Sequence, residues 1–412
     1  MQNNHIKFLD FILSLGNYCG KFHSIFFSLL LLISCNDRKN SDDDGCGRNG
    51  ICTSAAPSAP TYLSLVMPST SPGLNTTPTI SVDGVEIGDT VKIFSDSNCT
   101  FEIGSEISPG TSVNITVNSA LSISSHSIYA NSTNAFGTSP CSTSYVSYTI
   151  PLCPDGFILV PHNSGVGTTS DFCVMKYEAK NNGGVAISQA SGNPYVSLTI
   201  GASQAKCTDL NALNEVSDKF DLISNPEWMT IVRNAEGIGA NWEAGIPGSG
   251  AMFRGHSDGS PSSALAAALD NDPYTGTGND STQVMNSGKE QKRTLTLSNG
   301  EVIWDLSGNV WEWVDWSLDS GLQESTKTCA GGSWIELPNV TCGELSQYQY
   351  MPNLTNLTST NGVGLFYGGG GGAAIRGGRW DSNTGSGAFG LFLNNSRFNS
   401  NMGIGFRCVY RH

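Results

Sequence analysis

The stretch that decides the fold is "WDLSGNVWEWVDW", Trp304 to Trp316. It is followed by "GGSW" (Gly331 to Trp334), "RGGRW" (Arg376 to Trp380) and "GFRCV" (Gly405 to Val409). A tryptophan needs a wide apolar slot and a partner for its N–H. Set among glycines, these rings imply packing against backbone that passes very close, because glycine has no Cβ to hold it off. Upstream, "GFILVP" from Gly156 reads as a buried strand, and "DFCVMKYEAK" (Asp171 to Lys180) as a second strand paired with it. "ASQAKCTDLNAL" (Ala202 to Leu213) reads as a short amphipathic helix. "SNPEWMTIVRNAE" (Ser224 to Glu236) reads as another, with Ser224 or Asn225 as cap, Pro226 in the first turn and Glu227 completing a capping-box pattern.

Taken in order over residues 151 to 412, "GFI-VP", "KYE", "N-x-EW", "GNVWEW", "GGSW", "RGG-W" and "GFR" resemble the formylglycine-generating-enzyme (sulfatase-modifying factor) family. That resemblance implies an irregular α+β head of the C-type-lectin-like kind. In the family, a cysteine pair between "RGG-W" and "GFR" holds copper, which soft sulfur suits. Here that segment, "DSNTGSGAFGLFLNNSRFNSNMGI" (Asp381 to Ile404), contains no cysteine. Cys408, inside "GFRC", is expected in a disulfide. The head therefore reads as non-catalytic, with no catalytic cofactor. No H-x3-H pattern supports the iron site of the related sulfoxide synthases, and His162 and His256 have no G-x-S-x-G partner. The alternative is a metal-dependent oxidase of the same superfamily with relocated catalytic residues. Family members also bind calcium around "GNVWEW". This implies Asn309 and Glu312 as ligands of a structural Ca²⁺, a cation that prefers hard oxygen donors. The other reading of Glu312 is an ion pair with Arg376 or Arg407.

The cysteine-free segment interleaves short polar side chains with aromatics, a composition typical of recognition surfaces. The residues expected to bind are Trp380, Asp381, Asn383, Phe389, Phe392, Asn394, Asn395, Arg397, Phe398, Asn399 and Asn401. Trp380 is the tryptophan expected nearest the surface. Trp228, Trp242, Trp304 and Trp334 are expected in the core. The segment resembles the variable region of diversity-generating retroelement proteins, which carry the same C-type-lectin-like fold. The implied partner is a protein or a glycan at the cell surface. The plainer reading is that Asn and Ser merely fill exposed loops. The loop-rich stretch from Ala240 to Glu290 is expected to be pinned by internal hydrogen bonds or an ion.

The N-terminal half says where such a head would work. An apolar run from Phe22 to Ile33 follows Lys21 and is too short to span a membrane. It ends in "LISC", which looks like the lipobox of a bacterial lipoprotein, so Cys35 is the expected lipidation site. An ordinary secretory signal is the alternative. Residues 1–34 are then a signal peptide and 35–57 a flexible tether. Residues 58–150 carry about seven short alternating runs, among them "TISVDGVEIGDTVKIFSD" with a turn at Asp83-Gly84. They predict an antiparallel β-sandwich that resembles bacterial immunoglobulin-like domains. The expected fold class is thus multidomain, a sandwich followed by the C-type-lectin-like domain of residues 151–412.

Of the 12 cysteines, ten remain after Cys19 leaves with the leader and Cys35 takes lipid. An even number in an exported chain makes disulfides the default. Connectivity does not follow from sequence. Local pairing suggests Cys46–Cys52, Cys99–Cys141, Cys153–Cys173 and Cys329–Cys342, leaving Cys207 for Cys408. Charged residues are only 14% and the net charge is −14. An acidic chain with no basic patch is repelled by nucleic acid. The expected location is the bacterial cell envelope, lipid-anchored.

Overall fold

The computed structural model describes residues 55–267, 274, 277, 291–316, 332–342 and 345–412. The leader, Cys35, the expected Cys46–Cys52 pair, Cys329 and most of 268–290 lie outside the described residues. Ala55–His412 form one compact unit, rich in β-strand, with two α-helices among the described residues.

Between Tyr62 and Thr149 lie eight strands in two antiparallel sheets. Tyr62–Met67, Thr79–Asp83 and Ser112–Thr116 make one sheet. In the other, Ser125–Asn134 pairs with Thr90–Phe94, Gly137–Thr138 and Val146–Thr149, and Glu102–Ile107 lies on the edge beyond Thr90–Phe94. Strand alternation turns every second side chain to the same face. Ile80, Val82, Val91, Ile93, Val113, Ile115, Ile128 and Ala130 accordingly share one buried cluster between the sheets. The turn at Asp83-Gly84 is present, with Gly84 at φ +80°. It sends the chain across to the other sheet, where Thr90–Phe94 finds its partners, so it closes no hairpin. Cys99–Cys141 closes a 42-residue loop in this region.

The two halves meet at Leu74. It is 4% exposed and belongs to the same buried cluster as Phe220, Cys408 and Tyr410 of the C-terminal half. Tyr148 braces this loop, its hydroxyl donating to the Asn75 carbonyl at 2.8 Å. Burial pushes the Tyr148 phenol up to about 12.

The C-terminal half is built on two sheets. Phe157–Val160, Phe172–Met175, Cys408–Arg411 and Phe220–Leu222 lie side by side, all antiparallel. The first two pair as the sequence predicts, Phe172 opposite Val160, and Cys153–Cys173 staples them. The second strand is shorter than expected: it ends at Met175, before the "KYE" residues. The second sheet orders Trp334–Glu336, Leu365–Tyr367, Gly387–Ser396, Gly372–Gly377, Trp311–Val314 and Ile404–Phe406.

Two helices cover these sheets. Helix α1 (Ile200–Leu213) begins two residues earlier than expected, because the Thr199 hydroxyl accepts from the Ala202 N–H and caps it there. Cys207 on α1 bonds Cys408 on the last strand, a closure of 201 residues. Helix α2 (Asn225–Glu236) is capped by Ser224, with Glu227 reaching back to the Ser224 N–H at 2.8 Å. Its buried face carries Trp228, Ile231 and Val232 into the larger core. Cys342 is disulfide-bonded as well.

Candidate functional site

The sequence motifs converge on a buried polar knot. Glu178 of "KYE" is fully buried and accepts from Asn309 Nδ2 at 2.6 Å and from the Val310 N–H at 3.3 Å. Arg293 forks onto Asp305 at 2.7 and 2.6 Å. Arg407 of "GFR" forks onto Glu312 at 2.7 and 2.5 Å and reaches the Met175 and Trp304 carbonyls. Arg376 of "RGG" spans Asn225 Oδ1, the Gln349 carbonyl and the Phe389 carbonyl. Bidentate charge-assisted pairs are among the strongest hydrogen bonds available. Every one here lies in the interior.

Burial sets the titration of this knot. Desolvation, with the nearby Asp305 charge, pushes the Glu178 carboxyl up to about 8. Desolvation holds Lys180, 3.8 Å away, below the ordinary amine value. It also raises Glu312, with Arg407 pulling the other way. Arg376, bonded only to neutral acceptors, falls to about 9.

This geometry gives the calcium expectation no support. Both Glu312 oxygens are taken by Arg407, so the alternative reading of that residue holds. The Asn309 amide is spent on Glu178 and on the Leu265 main chain. Each of these side-chain oxygens already accepts a hydrogen bond within the protein. No group of three or more His, Cys, Asp or Glu that could hold a metal ion occurs among the described residues. The glycines serve the same packing. A Cβ on Gly308 (φ +79°) would sit 2.4 Å from the His256 carbonyl, and one on Gly378 (φ +87°) 2.3 Å from Ser386 Oγ. The described part of the 240–290 loop is held by hydrogen bonds, such as Asn241 Nδ2 to the Ala235 and Thr296 carbonyls.

The expected binding residues separate into three groups. Trp380 is only 5% exposed, Phe389 is fully buried, and Asn395 is 6% exposed and accepts from Asn399 Nδ2 at 2.7 Å. These three belong to the interior, against expectation. Asp381 pairs with Arg379 at 2.6 Å, beside Asn383 in the turn before the strand Gly387–Ser396. Phe392 sits midway along that strand, Asn394, Arg397, Phe398 and Asn399 lie toward its far end or just past it, and Asn401 comes back beside Arg379, next to Gly403. Phe392 is half-buried, Asn394 and Asn401 are exposed, Asn399 is half-buried and Phe398 is 88% exposed. Arg397 donates to the Gly372 carbonyl at 3.0 Å. Ten residues at about 3.3 Å each put roughly 30 Å between the two ends. Burial of Trp380, Phe389 and Asn395 breaks up the expected single surface.

At the far end the structure adds residues that sequence reasoning placed elsewhere. Trp334, expected in the core, is 43% exposed. Its ring lies 5.5 Å from Phe392 and 5.1 Å from Tyr367, and Tyr367 lies 4.9 Å from Phe392. Trp311 stacks behind at 6.1 Å from Trp334. Four strands of one sheet thus contribute one ring each. The Tyr367 hydroxyl is anchored on the Gly332 carbonyl at 2.8 Å. Asn394 packs against Gly369, where a Cβ would fall 2.4 Å from its own. Pairing of Tyr367 with Phe392 across parallel strands makes this cluster. The spacing of "GGSW" and "LFY" in the chain carries no sign of that pairing.

No protein-family model and no curated protein match the chain. Solved structures overlap it loosely. Treponema denticola variable protein 1 is 15% identical over 62% of this chain and 92% of that one, with a TM-score of 0.29. The I1 variant of a Major Tropism Determinant is 15% identical over 82% of this chain and 81% of that one, at 0.28. A BSP domain of a biofilm associated protein is 22% identical over 23% of this chain and spans 15% of that one, at 0.17.

Proposed function

We propose that this chain is an exported bacterial lipoprotein, anchored through Cys35, whose C-type-lectin-like head binds a ligand and performs no oxidase chemistry. In this reading the immunoglobulin-like sandwich is a spacer. The head is a formylglycine-generating-enzyme-like scaffold, and its exposed tip is open to genetic diversification. The ligand is a protein or glycan outside the cell.

The observation that carries the reading is the ring cluster of Trp334, Tyr367 and Phe392, left partly open to solvent, with the exposed Asn394 two residues beyond Phe392 on the same strand. Rigid aromatics with adaptable amides beside them are the usual makeup of a binding hot spot. The thiol chemistry of the family has no support here. Cys408 is buried in its disulfide with Cys207, and the other described cysteines are disulfide-bonded too. Such usage also suits an oxidising compartment.

The test is a binding screen of the purified protein on arrays of oligosaccharides and extracellular peptides. Trp334→Ala should weaken any hit by roughly 30-fold, the size of a hot-spot loss. The pair Asp381→Ala and Asn383→Ala, at the other end of the strand, should leave it unchanged. The reverse pattern would move the site. Aldehyde formation on a cysteine-containing sulfatase-type peptide with copper would overturn the non-catalytic reading.

A further inference from the structure

One amine in the buried polar knot makes no hydrogen bond. Lys180 is 1% exposed, and its Nζ has no hydrogen-bond partner among the described residues. Glu178 Oε2 lies 3.8 Å away, too far for such a bond. The main chain here is fixed. The Ala179 N–H donates to the Phe406 carbonyl at 2.9 Å, and Lys180 pairs with Ile187 and Pro194. A buried lysine is costly unless it is closely paired or neutral. Burial disfavours its ammonium form, which leaves the nitrogen lone pair available.

The same Glu178 oxygen reaches a carboxamide. Glu178 Oε2 accepts from Asn309 Nδ2 at 2.6 Å, so the amine and the carboxamide flank one carboxyl oxygen. The carboxamide carbonyl is polarised, because Asn309 Oδ1 accepts from the Leu265 N–H at 2.8 Å. Asn309 is fully buried and held at φ +59°. Its N–H donates to the His256 carbonyl, and its carbonyl accepts from the Trp380 N–H. All three side chains are shielded from water, so hydrolysis does not compete. Burial raises the Glu178 carboxyl to about 8, so it holds a proton at neutral pH and can pass it on.

We propose that Lys180 and Asn309 become joined by an intramolecular isopeptide bond, with Glu178 as the proton shuttle. Lys180 Nζ attacks Asn309 Cγ, and the Cγ–Nδ2 bond breaks. Glu178 gives its proton to the departing Nδ2, and the carboxylate left behind takes one from Nζ. Ammonia leaves, no oxidant or reductant is consumed, and Glu178 ends as it began. The Leu265 N–H stabilises the charge that develops on Oδ1. The bond ties the "KYE" segment to "GNVWEW", a cross-link that reduction cannot open.

The test is mass spectrometry of the purified protein after reduction, alkylation and digestion with trypsin. Trypsin does not cut after a lysine whose amine is acylated. The expected product is Tyr177–Lys206 joined to Thr294–Lys327, lighter by one ammonia than the two peptides together. Lys180→Met removes the nucleophile and should release Thr294–Lys327 at its full mass. Proton transfer by a placed side chain is worth about 100-fold or more in rate. Glu178→Gln should therefore leave the linked product a minor species in freshly purified protein. Should that variant fail to fold, the wild-type digest decides alone. Cleavage after Lys180 in the wild type, with Thr294–Lys327 at its full mass, would overturn the proposal. Undiminished linkage in a folded Glu178→Gln would overturn it as well.

Discussion

Glu312 is the residue on which the two readings of the tryptophan motif part, and replacing it with glutamine distinguishes them. The variant removes a carboxylate that makes two charge-assisted bonds to Arg407, at 2.7 and 2.5 Å, both groups being fully buried. Stripping one partner from a buried pair costs about 3–5 kcal/mol, because the remaining charge is stranded. Arg407 keeps the Met175 and Trp304 carbonyls, and the nearby Asp305 charge also favours its cationic form. The low end, about 3 kcal/mol, is therefore expected. The assay is urea unfolding followed by tryptophan fluorescence. All eight tryptophans lie between Trp228 and Trp380, so the signal reports the C-terminal half alone. The loss should be the same in calcium and in EDTA. Glu312→Met combined with Arg407→Met should recover most of it, since an apolar pair of similar volume replaces a buried ion pair with little loss. A wild-type protein that calcium stabilises, with Glu312→Gln abolishing the effect, would refute the ion-pair assignment.

Two further outcomes follow from the same interior. Replacing Cys207 and Cys408 with alanine should cost up to about 5 kcal/mol in the same assay, the loop-closure entropy of 201 residues; a loss under about 1 kcal/mol would mean that packing alone holds the last strand. Glu178 keeps its proton up to about pH 8 when folded, against an ordinary value of 4.5. The folded state thus binds the extra proton between those values, so this group lowers stability as pH rises through that window and adds no further loss above it. Glu178→Gln cannot titrate, so the wild-type curve minus the variant curve should fall between pH 4.5 and 8; a difference that rises there would reverse the assignment.

The sequence was legible wherever a residue's role is local. Alternation in "TISVD" and "SVNIT" marks sandwich strands, because a one-residue slip would turn Ile80 and Ile115 outward. Ser224 and Glu227 mark the start of α2, since both capping bonds close within one turn. Among the described residues, Cys99–Cys141, Cys153–Cys173 and Cys207–Cys408 agree with the pairing that local spacing suggested. What stayed hidden depends on which strands become neighbours. Trp334 is exposed and Trp380 buried, although both follow glycine-rich motifs. The difference is position: Trp334 opens the sheet's edge strand, whereas the Trp380 N–H and carbonyl are bonded to Asn309 and Gly259 in the interior. Binary pattern does not encode strand order.

The division of labour between motif and tip has a physical consequence. Glu178, Asn309, Glu312, Arg376 and Arg407 are buried and bonded to one another or to main chain, so exchanging any one strands its partners. At the tip the balance differs. Phe398 is 88% exposed, and Asn394 is exposed. Exchanges at such positions usually stay within about 0.5 kcal/mol of neutral. A surface can vary freely only where it carries little of the folding energy, and only if something else fixes its shape. Here the fixing is done by Gly371, where a Cβ would come 2.2 Å from the Asn395 nitrogen, and by strand pairing beneath the rings. The tip can therefore change its side chains while the backbone under them holds still, as the proposed binding role requires.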